Sequence, residues 1–332
     1  MLARWLQRQW FAQRRLSPAL WLLAPLAGVY SALAAVNRRR ARPERLPVRV
    51  IVVGNITVGG AGKTPLTLWL AGQLCARGWR PGIVSRGYGG DSAAPRPVAA
   101  SSLPAEVGDE PLLLYRRSGV PVWIGRDRVA AGRALLAASP GVNVIICDDG
   151  LQHYRLARDV ELAVFDGRGA GNGWRLPAGP LREPLARLAG VAAVVCNGPP
   201  DDRIPPTLPR FEMRLQPGAF YRLDDPRQVC AAPDLAGRRL HALAGIGDPE
   251  RFFRTLEALG LGIARHPFPD HHAYRAADLA FAGDGVLLMT EKDAVKCAGL
   301  TAAEAWVLPV EAEVAPALID LILEKLRGRQ TA

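Results

Sequence analysis

The sequence predicts an α/β protein whose larger domain is built on a mainly parallel sheet. Three observations carry this. Short apolar, β-branched runs such as VRVIVVG (48–54) and VNVIIC (142–147) read as strands buried on both faces. Segments of helical spacing, 64–77 and 126–138 among them, alternate with these runs, the order that builds a parallel sheet. A glycine-rich loop joins the first buried run to the first such helix, giving strand, loop and helix in succession.

The elements follow in order. Residues 1–45 are set apart by texture. Residues 16–36, LSPALWLLAPLAGVYSALAAV, carry no charge. A spanning helix is one reading, weakened by Pro18, Pro25 and Gly28 and by arginines on both flanks. A signal peptide is a second, at odds with a nucleotide site downstream. A third is packing of both helices on the body. The reading carried forward is a membrane-surface anchor. Leu2, Trp5, Leu6 and Trp10 fall on one helical stripe, and tryptophan with arginine suits the headgroup region. The larger, phosphate-loop domain is then expected over 46–209, with strands at 48–54, 82–85, 142–147, 161–165 and 191–196. FEMRL and AFYRL flank Gln216-Pro217-Gly218 and predict a β-hairpin hinge over 210–235. A smaller α/β domain is expected over 236–332, with Asp248 and Pro249 opening a helix and 285–296 forming a strand and turn.

Composition sets the class of partner. The 332 residues carry 42 Lys+Arg against 31 Asp+Glu, a net charge of +11. That surplus favours an anionic partner: nucleic acid, an acidic membrane or a phosphorylated substrate. The five cysteines are scattered, with no C-x-x-C pair, which excludes a zinc ribbon or a disulfide frame.

The glycine loop is GNITVGGAGKTP (54–65). Gly59, Gly60 and Gly62 let successive backbone N–H groups curl around phosphate at a helix N-terminus. Thr57, Val58, Gly59, Gly60, Ala61, Gly62, Lys63 and Thr64 are the expected ATP contacts. Lys63 reaches the β- and γ-phosphates, and Thr64 ligates Mg²⁺. Thr57 stands where the usual phosphate loop has its first glycine. Val58 stands where dimerising partition-type ATPases carry a second lysine, which argues against that branch. Asp148 and Asp149 end a buried strand, where two carboxylates are costly without a cation. They are the expected metal ligands. His153 follows closely. On pattern alone, Asp109-Glu110 reads as a helix start and FPDHH (268–272) as a loop.

Taken together, nine stretches resemble one family. They are GNITVGGAGKTP, SRGYGG (85–90), VGDEPLLL (107–114), GRDR (125–128), CDDGLQH (147–153), GPLREP (179–184), AGIGDPERFF (244–253), FPDHH and TEKDAVK (290–296). In this order they are similar to the tetraacyldisaccharide 4′-kinases of lipid A biosynthesis. The resemblance implies transfer of the ATP γ-phosphoryl group to the 4′-hydroxyl of tetraacyldisaccharide 1-phosphate, giving lipid IVA. It implies an enzyme on the cytoplasmic face of the bacterial inner membrane, whose partners are this lipid and an anionic membrane surface rather than nucleic acid. It makes Asp109 the general base, assisted by His271, and adds Glu183 to the metal shell of Thr64, Asp148 and Asp149. Arg182, Arg128 and His153 become contacts to phosphate or acceptor. The rival reading is a phosphate-loop GTPase or ATPase switch or a metallochaperone recruited to the membrane. TEKD has the wrong spacing for a guanine reader, and no Cys/His cluster suits a metal carrier.

Overall fold

The computed structural model describes residues 2–12, 17–87, 94–301 and 303–328. The chain opens with α1 (Leu2–Ala12), a 3₁₀ stretch (Pro18–Leu23) and α2 (Ala24–Arg40). Next come β1 (Arg49–Gly54), α3 (Lys63–Cys75), β2 (Pro81–Ser85), β3 (Arg96–Pro97), α4 (Pro104–Val107) and α5 (Asp109–Ser118). β4 (Val122–Ile124), α6 (Arg128–Ala138), β5 (Val144–Asp148), β6 (Val160–Asp166), β7 (Ala193–Asn197) and β8 (Arg210–Pro217) follow. Then come β9 (Phe220–Arg222), β10 (Val229–Cys230), β11 (Leu240–Ala244), α7 (Pro249–Ala258), β12 (Ile263–Pro267) and α8 (Ala276–Leu279). The chain closes with β13 (Val286–Thr290), α9 (Glu291–Cys297), β14 (Ala305–Leu308), β15 (Val310–Val314) and α10 (Ala317–Arg327).

Two sheets form two lobes. The nine-stranded sheet runs β15-β8-β7-β6-β1-β5-β2-β4-β3, and β1 lies between β5 and β6, parallel to both. β1 and β5 are buried along nearly their whole length, as their continuous apolar runs demand. Strand order reverses beside β1, so the loop after it opens at the crevice where α/β sheets bind ligands. The six-stranded sheet runs β10-β9-β14-β13-β11-β12. Its core is Phe220, Phe253, Leu256, Leu288 and their neighbours.

The expected hairpin over 210–235 does not form. β8 joins the large sheet, parallel to β7 and antiparallel to β15, whereas β9 joins the small one. Gln216-Pro217-Gly218 is a crossing point between lobes, not a hairpin turn. The Gly218 N–H donates to Pro309 O at 3.0 Å, where the returning chain crosses back. The alternation of β8 suits its place between β7 and β15, near the sheet edge, equally well. That return also corrects the boundary at 236–332. β15 and α10 belong with the first lobe, and Leu318, Ile319, Ile322, Leu323 and Leu326 share its core with Ile51 and Val53. Each such buried side chain contributes about 1.5–3 kcal/mol, enough to recruit the C-terminal helix across the gap. Residues 291–297, expected as a turn, form a helix capped by Thr290, whose Oγ1 accepts the Asp293 N–H.

The N-terminal helices lie on the first lobe. Trp10 is buried, with its indole N–H donating to Pro177 O at 3.1 Å, so the α1 stripe turns partly inward. Leu20 and Ala27 are buried as well. The outward stripe lies further on: Trp21, Leu22, Leu26, Val29, Leu33 and Val36 are exposed, Leu22 at 87%.

Candidate active site

The phosphate loop is shaped from both ends. Thr57 bridges Leu181 in antiparallel register, and the Val58 N–H donates to Pro180 O at 2.9 Å. The entry to the loop is therefore an extended segment paired with GPLREP. No glycine is required at Thr57, since the chain does not turn there. Gly59 and Gly62 do need their freedom, with φ of 105° and 97°. A Cβ on Gly62 would stand 2.8 Å from Met213 Cε and 3.2 Å from Asn197 Nδ2. Gly59 and Gly60 are exposed, and Gly62 caps α3, so the loop offers an open helix N-terminus.

Lys63 and the acidic strand end meet here. Lys63 Nζ lies 3.5 Å from Asp149 Oδ1 and donates to Asn55 Oδ1 at 3.4 Å. Asn55 Nδ2 in turn donates to Gly59 O at 3.3 Å and ties off the loop. Asp148 is buried and accepts from Thr67 Oγ1 at 3.1 Å, one turn of α3 beyond Thr64. Burial, then Glu110 and Asp149, push its carboxyl up to about 7. Asp149 sits in the left-handed region at φ 50°. Burial would raise its pKa, but Lys63 and Arg182 outweigh that and hold it low. Arg182 Nη1 donates to Asp149 Oδ1 and Oδ2 at 3.3 Å and to Gln152 Oε1 at 3.5 Å.

The structure does not bring Glu183 into direct contact with this pair. Its buried carboxylate accepts from Gln152 Nε2 at 2.7 Å and from Tyr154 Oη, and faces Arg187 Nε at 3.3 Å. Tyr154 and Arg187 flank it, so it reaches Asp149 only through Gln152 and Arg182. His153 is also committed, since its Nε2 accepts the Arg128 backbone N–H at 3.2 Å. Burial, helped by Arg128, lowers its pKa to about 4 and keeps it neutral. Arg128 is buried, and its guanidinium donates to Gly125 O, Arg126 O and, at 3.4 Å, Asp149 O.

The second lobe completes the site. Asp109, buried at the start of α5, faces His271, which follows β12. His271 Nδ1 lies 3.1 and 3.0 Å from the two Asp109 oxygens. Burial raises the Asp109 pKa, but the His271 hydrogen bond, Lys292 and Lys296 together bring it below the ordinary carboxylate value. The Asp109 hydrogen bond raises His271 against its own desolvation. Next to them, Lys292 Nζ donates to Glu110 Oε1 at 2.6 Å, and Lys63 helps hold Glu110 ionised.

Sequence reasoning missed Asn55, Thr67, Gln152, Lys292 and Lys296. Thr67 had a signal, an i,i+3 spacing from Thr64 on one helix face. The lysines lie in TEKDAVK, but their place beside Asp109 and Glu110 had no signal in spacing, because only the packing of α9 against α5 brings them to the site.

A phosphate loop, a paired acidic strand end and a carboxylate–imidazole pair opposite define a nucleotide-dependent phosphotransferase. A family model described as Tetraacyldisaccharide-1-P 4'-kinase matches residues 19–327. The chain is 72% identical over 333 residues to the tetraacyldisaccharide 4'-kinase of Dechloromonas aromatica, covering 100% of both. It is 52% identical to that of Azoarcus sp., covering 96% of each. Among solved structures it resembles LpxK from Aquifex aeolicus in complex with ATP. The TM-score is 0.79 at 28% identity, covering 93% of this chain and 99% of that one. The chain belongs to the tetraacyldisaccharide 1-phosphate 4'-kinase family, and its activity is ATP-dependent phosphorylation of that lipid A precursor.

Proposed function

We propose that transfer takes place between the phosphate loop and the Asp109–His271 pair, at the cytoplasmic face of the inner membrane. The meeting of Asp109 and His271 from two lobes, beside the loop, carries the reading. Residues 57–64 cradle the triphosphate, and Lys63 leaves Asp149 to reach the transferring group. Asp109, ionised at neutral pH, accepts the 4′-hydroxyl proton as that oxygen attacks the γ-phosphorus in line; the bond from the γ-phosphorus to the β,γ-bridging oxygen breaks, and ADP leaves. His271 orients Asp109 and stabilises its charge. Arg182 and Arg128 flank Asp149 and meet phosphate.

Thr64, Asp148 and Asp149 would hold Mg²⁺. Three oxygen donors suit a hard cation, and the upward pull on Asp148 marks a site short of positive charge. When bound, Mg²⁺ neutralises charge on the phosphates. Glu183 orients Gln152, which in turn accepts from Arg182 beside Asp149.

The membrane reading rests on α2. Its outward face is the apolar stripe, while inward Tyr30 Oη donates to Arg182 O at 3.3 Å and Arg38 stands over the Tyr154 ring. The lipid-facing helix thus touches the loop that carries Arg182 and Glu183. An acceptor with four acyl chains can stay in the leaflet while its sugar reaches the loop.

The test is incubation with labelled ATP and tetraacyldisaccharide 1-phosphate in detergent. A bis-phosphorylated lipid is expected. GTP hydrolysis with no labelled lipid would instead indicate a nucleotide switch.

A further inference from the structure

Helix α9 approaches Asp109 directly through Lys296 and reaches His271 through the Gly245 turn, both from one buried cluster. Asp293 is fully buried. It accepts from the Gly245 N–H at 3.1 and 3.2 Å, Tyr274 Oη at 3.0 Å and Thr290 Oγ1 at 2.7 Å. Lys296, one turn later, lies 3.1 Å from Asp293 Oδ1. The same ammonium donates to Gly245 O at 3.5 Å and lies 4.0 Å from Asp109 Oδ2. Gly245 O also accepts the His271 N–H at 3.2 Å. Both backbone groups of Gly245 are thus pinned, one by Asp293 and one by Lys296 and His271. The approach needs glycine, because a Cβ there would stand 2.5 Å from Tyr274 Oη and 3.1 Å from Asp293 Oδ1. His271 itself is held at φ 58°, a conformation that a histidine keeps only when its surroundings fix it.

We propose that Lys296, clamped by Asp293, is a positioning residue for phosphoryl transfer: it pins the Gly245 turn that presents His271 and sets its ammonium against Asp109. The inference rests on Asp109 acting as the base. The Lys296 side chain is 7% exposed, with its ammonium 5.0 Å from the centre of the Tyr274 ring and 4.0 Å from Asp109 Oδ2. The charged groups around Asp109 are His271 and Asp270 from the loop after β12, Lys292 and Lys296 from α9, and Glu110 beside it on α5. Lys292 pairs with Glu110 and Lys296 with Asp293, and both also act on Asp109; Lys296 is the one of the two that additionally holds the Gly245 turn. Geometry and charge are separable here. Tyr274 and Asp293 hold the turn, and Lys296 does so while also biasing the base.

The experiment is the pH profile of kcat/KM for lipid phosphorylation in Lys296→Met, Lys296→Arg and Tyr274→Phe. An opposite charge within about 4–6 Å lowers an aspartate by one unit or more, so Lys296→Met is expected to move the acid limb upward by about one pH unit. Its KM for ATP should not change, and Lys296→Arg should restore the limb. Tyr274→Phe keeps the charge and loosens the turn, so kcat should fall with the acid limb in place. An unmoved limb in soluble Lys296→Met overturns the inference. If that variant is insoluble, the Tyr274→Phe profile decides: unchanged kcat overturns it. Asp109→Asn with parental turnover would overturn the base assignment instead, a separate outcome.

Discussion

Replacing Asp109 with asparagine separates the chemistry of the base from the architecture that holds it. Asparagine matches the carboxylate in shape and keeps an oxygen for the His271 ring, but it cannot take the acceptor proton. General-base catalysis contributes about 10²–10⁴-fold. At about 1.36 kcal/mol per tenfold, that is about 2.7–5.4 kcal/mol on the barrier. The cost to folding should be smaller. Removing one partner of a buried ion pair costs about 3–5 kcal/mol when it strands the other charge. Here neither lysine is stranded, because Lys292 keeps Glu110 at 2.6 Å and Lys296 keeps Asp293 at 3.1 Å. ATP affinity should hold, since the phosphate loop makes no contact through Asp109. The assay is steady-state transfer of labelled phosphate to the lipid in mixed micelles, with nucleotide affinity and thermal unfolding measured on the same preparation. A kcat near the parental value would remove Asp109 as base. A large fall in ATP affinity or melting temperature would show that the residue acts through structure.

Three further outcomes are expected. Asp149→Ala should raise the Mg²⁺ concentration needed for half-maximal activity, and an unchanged Mg²⁺ titration would refute its place in the metal site. Leu22→Glu with Leu33→Glu should move the protein from vesicles of anionic lipid to the soluble fraction, since each leucine contributes about 1.5–3 kcal/mol when buried; retention on the vesicles would refute the stripe as the docking face. The third concerns His271, whose pKa the Asp109 contact raises. Its stabilisation is therefore fully present below the unfolded value of about 6.5 and lost as pH rises through the folded value. The melting-temperature gap between parent and His271→Ala should be wider at pH 6 than at pH 9, and a constant gap would refute the ion pair.

The first lobe was legible because its signals are local. A strand buried on both faces must be apolar throughout, and VRVIVVG and VNVIIC are. Gly59, Gly60, Gly62 and Lys63 stand next to the helix that completes their site. The hairpin reading failed for a related reason. Alternation in β8 reports one exposed and one covered face, and says nothing about which strand is the partner. Pairing with β15 joins residues that are far apart in sequence, such as Met213 and Val314. Glu183 shows the same limit within the site. Its motif places it near the metal side, but Tyr154 and Arg187 take up its oxygens through contacts that motif spacing does not encode.

The two crossings between lobes bear directly on catalysis. The chain leaves the first lobe after β8 and re-enters it at β15, and the Gly218–Pro309 hydrogen bond holds both passages together. Two adjacent passages restrict the second lobe to motion about that line. Arg117 meets Glu291 beside this crossing, where Glu291 Oε2 accepts the Val310 N–H at 3.1 Å, and α5 and α9 also face each other with Glu110 on Lys292 and Asp109 close to Lys296. Parting the lobes would separate Glu110 from Lys292 and Asp109 from Lys296, and would carry His271 away from Asp109 in the same movement. If Asp109 is the base, as proposed, it is paired with His271 only when the lobes are together. On that proposal, an ATP bound to open lobes would face no oriented base, so lobe closure would be coupled to transfer.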